Sequence, residues 1–337
     1  MIVMEPNTQN ADIEAVVARI ASIGCESHVS HGQERSVIGA TGDQGELQQL
    51  PWEAMVGVER AVPVLKSFKL VSRDFQTEDT VIEVRGVKIG AGSFTAMAGP
   101  CAVENRDQLF RSAEAVVKSG AKVLRGDAFK PRTSPYSFQG LGEAGLQLMA
   151  EAREEFNVPF IAEVLDPRDV EMVASYADIL RIGTRNMSNY TLLTEVGRQL
   201  RPVQLKRGFT SSIEEWLSAA EFMYKEGNHQ IMLVERGIRT FEIASRNTLD
   251  ITAVPILKKL SHLPVIVDPS HSGGYQYLVA PLARVAVAAG ADGFLIDVHH
   301  SPETAQVDGG QALLPSEFED LMVVIRKLAD AMGVTVT

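Results

Sequence analysis

Cys101, His271, Asp297 and Asp308 offer a thiolate, an imidazole and carboxylates, a donor set that suits a divalent transition metal better than calcium or magnesium. No compact CxxC or HExxH spacing joins them, so only the fold could assemble such a site. Each also has a plainer use: a small buried thiol after "AGP", a helix cap or core histidine after "DPS", a turn aspartate in "DGG". His299 and His300 are alternative donors. A second set is cationic. Arg125, Lys130, Arg132, Arg185, Lys206 and Arg236 each follow a short apolar run, and gathered at one place they could hold two phosphates, or a phosphate and a carboxylate. The alternative is pairing with nearby acids such as Asp127, Glu163 or Glu235. Pro131 and Pro135 stiffen the loop "LRGDAFKPRTSP", which favours a ligand site over a solvated tail.

The elements that must position these residues can be read from the pattern of apolar runs. "FTAMAG", "AKVLR", "PFIAE", "ADILRI", "PVQLK", "HQIMLV", "PVIVD" and "DGFLID" read as strands, separated by amphipathic stretches such as "RDQLFRSAEAVVKSG" and "SIEEWLSAAEFMYKEG". Eight such repeats over 94–337 predict an α/β fold, a (β/α)8 TIM barrel, with a doubly wound open sheet as the competitor. The barrel is preferred because the polar residues fall just after the runs, at the strand tips where this fold builds its sites. Before it, 1–66 reads as a small α+β unit, with a helix in "ADIEAVVARIASIG" stopped at Gly24 and strands in "SVIGATG" and "VERAVPVL". Residues 67–93 read as a charged linker, then a hairpin in "VIEVRGVKIGAGSF".

Bulk properties narrow the partners. The 337 residues are 45% hydrophobic and 22% charged, enough for one large core and a small one, and the formal net charge is -11. That balance argues against nucleic acid and membrane surfaces as partners, so any anion must be gripped locally. No apolar run has spanning length, and "MIVMEPNTQNADIEAVV" lacks the form of a signal peptide, which leads us to expect a cytoplasmic location and reduced thiols at Cys25 and Cys101.

Several long motifs, in order, carry a resemblance: "AGPCAVEN", "LRGDAFKPRTSPYSFQGLG", "IGTRNMSNYTLLTEVG", "QLKRGFTSSIEEWLSAAE", "ERGIRTFEIASRNTLDITAVPILKKL" and "LPVIVDPSHSGG". They resemble the DAHP synthases, in particular the bacterial subclass with a ferredoxin-like N-terminal regulatory domain, here 1–66. The resemblance implies condensation of phosphoenolpyruvate with erythrose 4-phosphate to DAHP and phosphate, the first step of the shikimate pathway. It implies a divalent metal, Mn2+ first, with Fe2+, Co2+ and Zn2+ as alternatives, at Cys101, His271, Asp297 and Asp308. Arg125, Lys130, Arg185, Lys206 and Arg236 would hold phosphoenolpyruvate, and Arg132, Thr133 and Ser134 the aldose phosphate. The "KPRTS" stretch favours the four-carbon sugar, since the related KDO 8-phosphate synthases typically read KANRSS there. Lys130 is the candidate for proton transfer or for a fixed charge, and Glu163 or Asp268 for orienting water or aldose hydroxyls. An aromatic amino acid effector and a homo-oligomer, tetramer or dimer, are further implications.

Two positions depart from the family pattern. Asp127 stands where a glycine is usual, and Asp297 where the last strand usually ends in a glutamate, a carboxylate shorter by one bond, about 1.5 Å. They raise the alternative of a specialised paralogue acting on another aldose phosphate. Two readings from other classes accompany it: a Schiff-base aldolase using Lys206, and a non-catalytic sensor of phosphometabolites.

Overall fold

The structure is a computed structural model that describes residues 1–32, 35–62 and 67–337. The expected domain boundary at residue 66 and the end of the expected strand 58–65 fall outside the described residues. The chain forms two compact units, 1–79 with 259–262, and 80–258 with 263–337. Among the described residues no helix is long and apolar enough to cross a membrane.

The first unit runs β1 (Ile2–Met4), α1 (Asn10–Ser22), β2 (Glu26–His31), β3 (Ser36–Thr41), α2 (Gln44–Gln49) and β4 (Val58–Ala61). Its sheet has the order β2-β3-β1-β4 with every neighbour antiparallel, the split arrangement of a ferredoxin-like fold. Helix α1 buries Ile13, Val16 and Ile20 at helical spacing against Ile2, Met4, Ile38, Trp52 and Val58. Gly24, at φ 71, takes the left-handed turn that ends it. The charged stretch that follows is packed, burying Phe68, Leu70, Val71 and Phe75, apolar residues that its charges mask in the sequence.

The second unit opens with a hairpin, β5 (Ile82–Val84) and β6 (Val87–Ile89), whose two turn residues Arg85 and Gly86 both have positive φ, as a type I′ turn requires. The expected strands then appear as β7 (Ser93–Gly99), β8 (Val123–Arg125), β9 (Phe160–Val164), β10 (Ile179–Ile182), β11 (Val203–Lys206), β12 (Ile231–Glu235), β13 (Val265–Val267) and β14 (Gly293–Asp297). Each pairs in parallel with the next, and β14 pairs with β7, so the sheet closes into a (β/α)8 barrel and the open-sheet alternative is excluded. Helices cover it, among them α3 (Arg106–Ser119), α4 (Glu143–Phe156), α5 (Val170–Tyr176), α6 (Tyr190–Arg198), α7 (Ile213–Lys225), α8 (Ala253–Leu260), the short α9 (Pro269–Gly273), α10 (Gln276–Ala288) and α11 (Pro315–Ala331). Helix α3 is capped by Asn105, whose side chain accepts from the Gln108 amide at 2.9 Å. Asn105→Ala is expected to cost about 1 kcal/mol, seen as a lower denaturant midpoint at constant slope; an unmoved midpoint would show that the cap is dispensable.

One apolar cluster joins the hairpin residues Ile82, Val84 and Ile89 to Val123, Ile161, Ile179, Val234, Ile266 and Leu295 inside the barrel. Val123 and Ile179 begin their strands, so the hairpin caps the N-terminal end. Side chains alternate faces along a strand, so the residue two places further on also points inward, nearer the opposite end. Those residues are Arg125, Glu163, Arg181, Arg236, Asp268 and Asp297. The pleat that builds the core at one end therefore delivers charge to the other.

Candidate active site

The charged end encloses a cavity of about 280 Å³. Of the residues expected from sequence, Lys130, Arg132, Thr133, Ser134, Glu163, Arg185, Lys206, Arg236, His271 and Asp308 line it, joined by Asp127, Ser137, Gly183, Phe209 and Arg246. Cys101, Arg125, Asp268 and Asp297 do not reach its surface and act on the residues that do.

Three of the four candidate metal donors converge. One donor atom each from Cys101, His271 and Asp308 lies within 4.8 Å of the others, with Cys101 Sγ 3.4 Å from Asp308 Oδ2 and 3.8 Å from His271 Nε2. His271 is aimed by Asp268, which caps α9, accepts from the His271 amide at 2.9 Å and lies 3.1 Å from its Nδ1. A carboxylate behind a ligating imidazole fixes the ring and its tautomer. A thiol, an imidazole and a carboxylate held this close fit a divalent transition metal. Asp297, expected as the fourth donor, instead binds Arg125 through one oxygen and accepts from Gln311 Nε2 at 2.6 Å through the other. His299 and His300 stack on each other outside the trio, and His299 faces Glu104.

Burial opposes a charge on His271, but the carboxylates of Asp268 and Asp297 outweigh it and lift its pKa to about 10. Lys130 is likewise opposed by burial and raised by Asp127 and Cys101, which makes it a standing ammonium and leaves no base there. Its Nζ donates to Cys101 Sγ at 3.3 Å and to the Cys101 carbonyl at 2.9 Å.

The cations divide into paired and unpaired. Arg125, expected at the ligand, is fully buried between Asp297, Asp127 and the Pro100 carbonyl. A guanidinium so far from water requires fixed counter-charge, which is why it turns to aspartates rather than to the cavity. Lys206 Nζ donates to Asp268 at 2.7 Å; burial lowers its pKa and Asp268 opposes that. Asp268, expected to meet water or aldose hydroxyls, is wholly occupied by Lys206 and His271. Arg185 and Arg236 have no ion pair among the described residues; their guanidinium groups flank the Phe209 ring at 5.4 and 5.0 Å. Arg236 is 4% exposed, and its Nε and Nη1 have no hydrogen-bond partner. Burial brings its pKa down to about 10.

Glu163 is pushed up by burial and by Asp127, and it occupies the space where any side chain on Gly183 would sit, a Cβ there meeting Oε1 at 2.0 Å. The loop carrying Arg132, Thr133 and Ser134 is pinned at its base by Lys130 N to Gln139 O at 2.8 Å. Sequence reasoning missed Arg181, Phe209 and Arg246. Arg181 had a signal, since a charge inside the apolar run "ADILRI" has to be buried and paired; Arg246, bonded to Asp308 and Gln311, lies in a loop with no such mark.

Fold and mouth define a (β/α)8 barrel that gathers cations beside a candidate metal centre. The chain belongs to the DAHP synthetase I family, whose profile matches residues 74–333, while residues 1–66 match the DAHP synthase ferredoxin-like domain. It is 51% identical over 336 residues to a phospho-2-dehydro-3-deoxyheptonate aldolase of Thermotoga maritima, covering 100% of this chain and 99% of that one. A crystal structure of the DAHP synthase from that organism superposes with a TM-score of 0.80 at 50% identity, covering 100% and 98% of the two chains. A 2-dehydro-3-deoxyphosphooctonate aldolase of Syntrophobacter fumaroxidans is 32% identical over 74% of this chain and 90% of its own.

Proposed function

We propose that this chain condenses phosphoenolpyruvate with erythrose 4-phosphate to give DAHP and inorganic phosphate, opening the shikimate route to aromatic compounds. The observation that carries the reading is Arg236, a buried guanidinium with two nitrogens unpartnered at the wall of a cavity it shares with Arg185. A protein retains a desolvated, unpaired cation at a cost, and an anionic substrate is what offsets it. Arg185 and Arg236 take the phosphate of phosphoenolpyruvate, Lys130 and Lys206 lie by its carboxylate, and Arg132, Thr133 and Ser134 receive the aldose phosphate. Cys101, His271 and Asp308 would hold a divalent metal, Mn2+ or a neighbouring transition ion, which when bound supplies Lewis-acid polarisation of the aldehyde.

The new carbon–carbon bond joins C3 of phosphoenolpyruvate to the aldehyde carbon as the C2–C3 double bond opens, and the aldehyde oxygen takes up a proton, balanced by the one lost when water adds at C2. Water then adds at C2 and the C2 carbon–oxygen bond to phosphate breaks. Lys130, Arg185 and Arg236 stabilise the charge on the departing phosphate. Glu163, in the cavity wall, positions the water. Aromatic amino acid control through the ferredoxin-like unit, assembly as a tetramer or dimer, and a cytoplasmic location accompany this reading as family expectations.

One feature fits a Schiff-base aldolase instead: the lowered pKa of Lys206 in the cavity wall. A single set of assays separates the readings. Phosphate release from phosphoenolpyruvate is expected only when erythrose 4-phosphate is added. It should be abolished by EDTA, restored by Mn2+, and unaffected by borohydride. Turnover that survives EDTA and is trapped by borohydride overturns the metal-assisted reading. Binding without phosphate release makes the protein a sensor, and faster turnover with another short aldose phosphate makes it a paralogue.

A further inference from the structure

Asp127, which the proposed reaction leaves unused, stands at the centre of a buried charge ladder. Its carboxylate accepts from Arg181 Nη1 at 2.8 and 2.9 Å, from Lys130 Nζ at 3.0 Å and from Arg125 Nη2 at 3.2 Å. Asp127, Arg125 and Arg181 are at most 1% exposed. Donors still outnumber acceptors, for Arg125 Nε and Arg181 Nη2 have no hydrogen-bond partner. Asp127 also forms part of the cavity wall, beside Lys130. Side-chain and substrate carboxylates present the same two oxygens to a guanidinium or an ammonium, so the donors that hold one could hold the other. The cations Arg185 and Arg236 differ, having no ion pair among the described residues and nothing to displace.

We propose that Asp127 is a built-in counter-anion that competes with the carboxylate of the incoming substrate for Lys130, with which it shares the cavity wall, and thereby sets how far the site favours a ligand's phosphate over its carboxylate. The inference rests on the mouth being a phosphoenolpyruvate site. Arg181 is the tether in this arrangement: its Nη1 holds both Asp127 oxygens and so shares the carboxylate away from Arg125 and Lys130. If Asp127 served only to neutralise Arg181, replacing both would leave ligand preference unchanged.

The test is a calorimetric titration of the full-length protein with phosphoenolpyruvate and, separately, with inorganic phosphate. Asp127→Asn combined with Arg181→Gln removes one charge of each sign, leaving Arg125 paired with Asp297 and Lys130 free to meet the ligand. The double variant is expected to bind phosphoenolpyruvate about tenfold more tightly, the value of one competing charge-assisted contact removed, with phosphate affinity within about twofold of wild type. Arg181→Gln alone leaves Asp127 to grip the other two cations and is expected to weaken phosphoenolpyruvate by a similar factor, again sparing phosphate. Parallel changes for the two ligands, or unchanged phosphoenolpyruvate affinity in a double variant with wild-type melting temperature, overturn the proposal. Should the double variant not fold, Asp127→Asn alone must show the same preferential gain, and its absence has the same force. Wild-type protein that takes phosphate but no phosphoenolpyruvate defeats the catalytic reading by itself; gained phosphoenolpyruvate binding in the double variant would still support the competition, and no gain would end it.

Discussion

Cys101→Ala is expected to lower metal-dependent turnover by at least about a hundredfold, because losing even a group that merely orients a metal ligand costs ten- to a hundredfold, and in the proposed site Cys101 would be a donor itself. Its sulfur lies 3.4 Å from Asp308 and 3.8 Å from His271, and is a group that Lys130 approaches. Phosphoenolpyruvate binding to the metal-free variant should persist, since Arg185 and Arg236 are untouched. A variant with wild-type turnover and wild-type metal content would remove Cys101 from the site. The protonation of His271 adds a pH signature. With its pKa raised to about 10, the imidazole carries a proton at neutral pH that a metal must displace. Apparent metal affinity should therefore rise by up to about tenfold per pH unit as pH approaches 10. In the metal-free protein the sign is opposite: the raised pKa contributes stability fully below the unfolded value of about 6.5, and that contribution is lost as pH rises through about 10. The gain in melting temperature on adding Mn2+ should widen across that window, and a gain independent of pH would place the metal elsewhere.

The second large effect separates function from stability. Arg236→Met is expected to raise the KM for phosphoenolpyruvate by about two orders of magnitude, the loss of two charge-assisted hydrogen bonds. The ligand-free variant should melt no lower than wild type. Arg236 is 4% exposed with Nε and Nη1 unpartnered, so the methionine removes a desolvated charge and fills similar volume. Binding sites commonly carry such strain, which relaxes when the functional group is removed. A variant that melts well below wild type with unchanged KM would show that Arg236 is a structural cation.

Several features were legible in the sequence for local reasons. Alternation along a strand is a property of neighbouring residues, so "PFIAE" and "ADGFLID" announce both an apolar strand and the charge at its end. Arg181 shows where such reading fell short. It lies two residues beyond Ile179 on the inward face of β10, within an apolar run, whereas the arginine that follows the run, and so carries the strand-tip mark, is Arg185. The packing of Phe68, Leu70, Val71 and Phe75 was hidden for a similar reason, their spacing among charged residues matching neither helical nor strand periodicity.

By itself the sequence determined the barrel, the small α+β unit before it, and the fall of charged residues at the strand tips, because each follows from short-range pattern or from motifs in fixed order. Only the tertiary structure decided which charges are spent on one another. Arg125 meets Asp297 across 172 positions of chain, and Arg181 meets Asp127 across 54. Whether a cation is paired or free depends on its distance to a carboxylate and on how thoroughly both are removed from water, and neither quantity is local in sequence. That is why Arg125 and Arg236, alike as strand-tip arginines, end as a locked internal pair and as a guanidinium with two unpartnered nitrogens at the cavity wall.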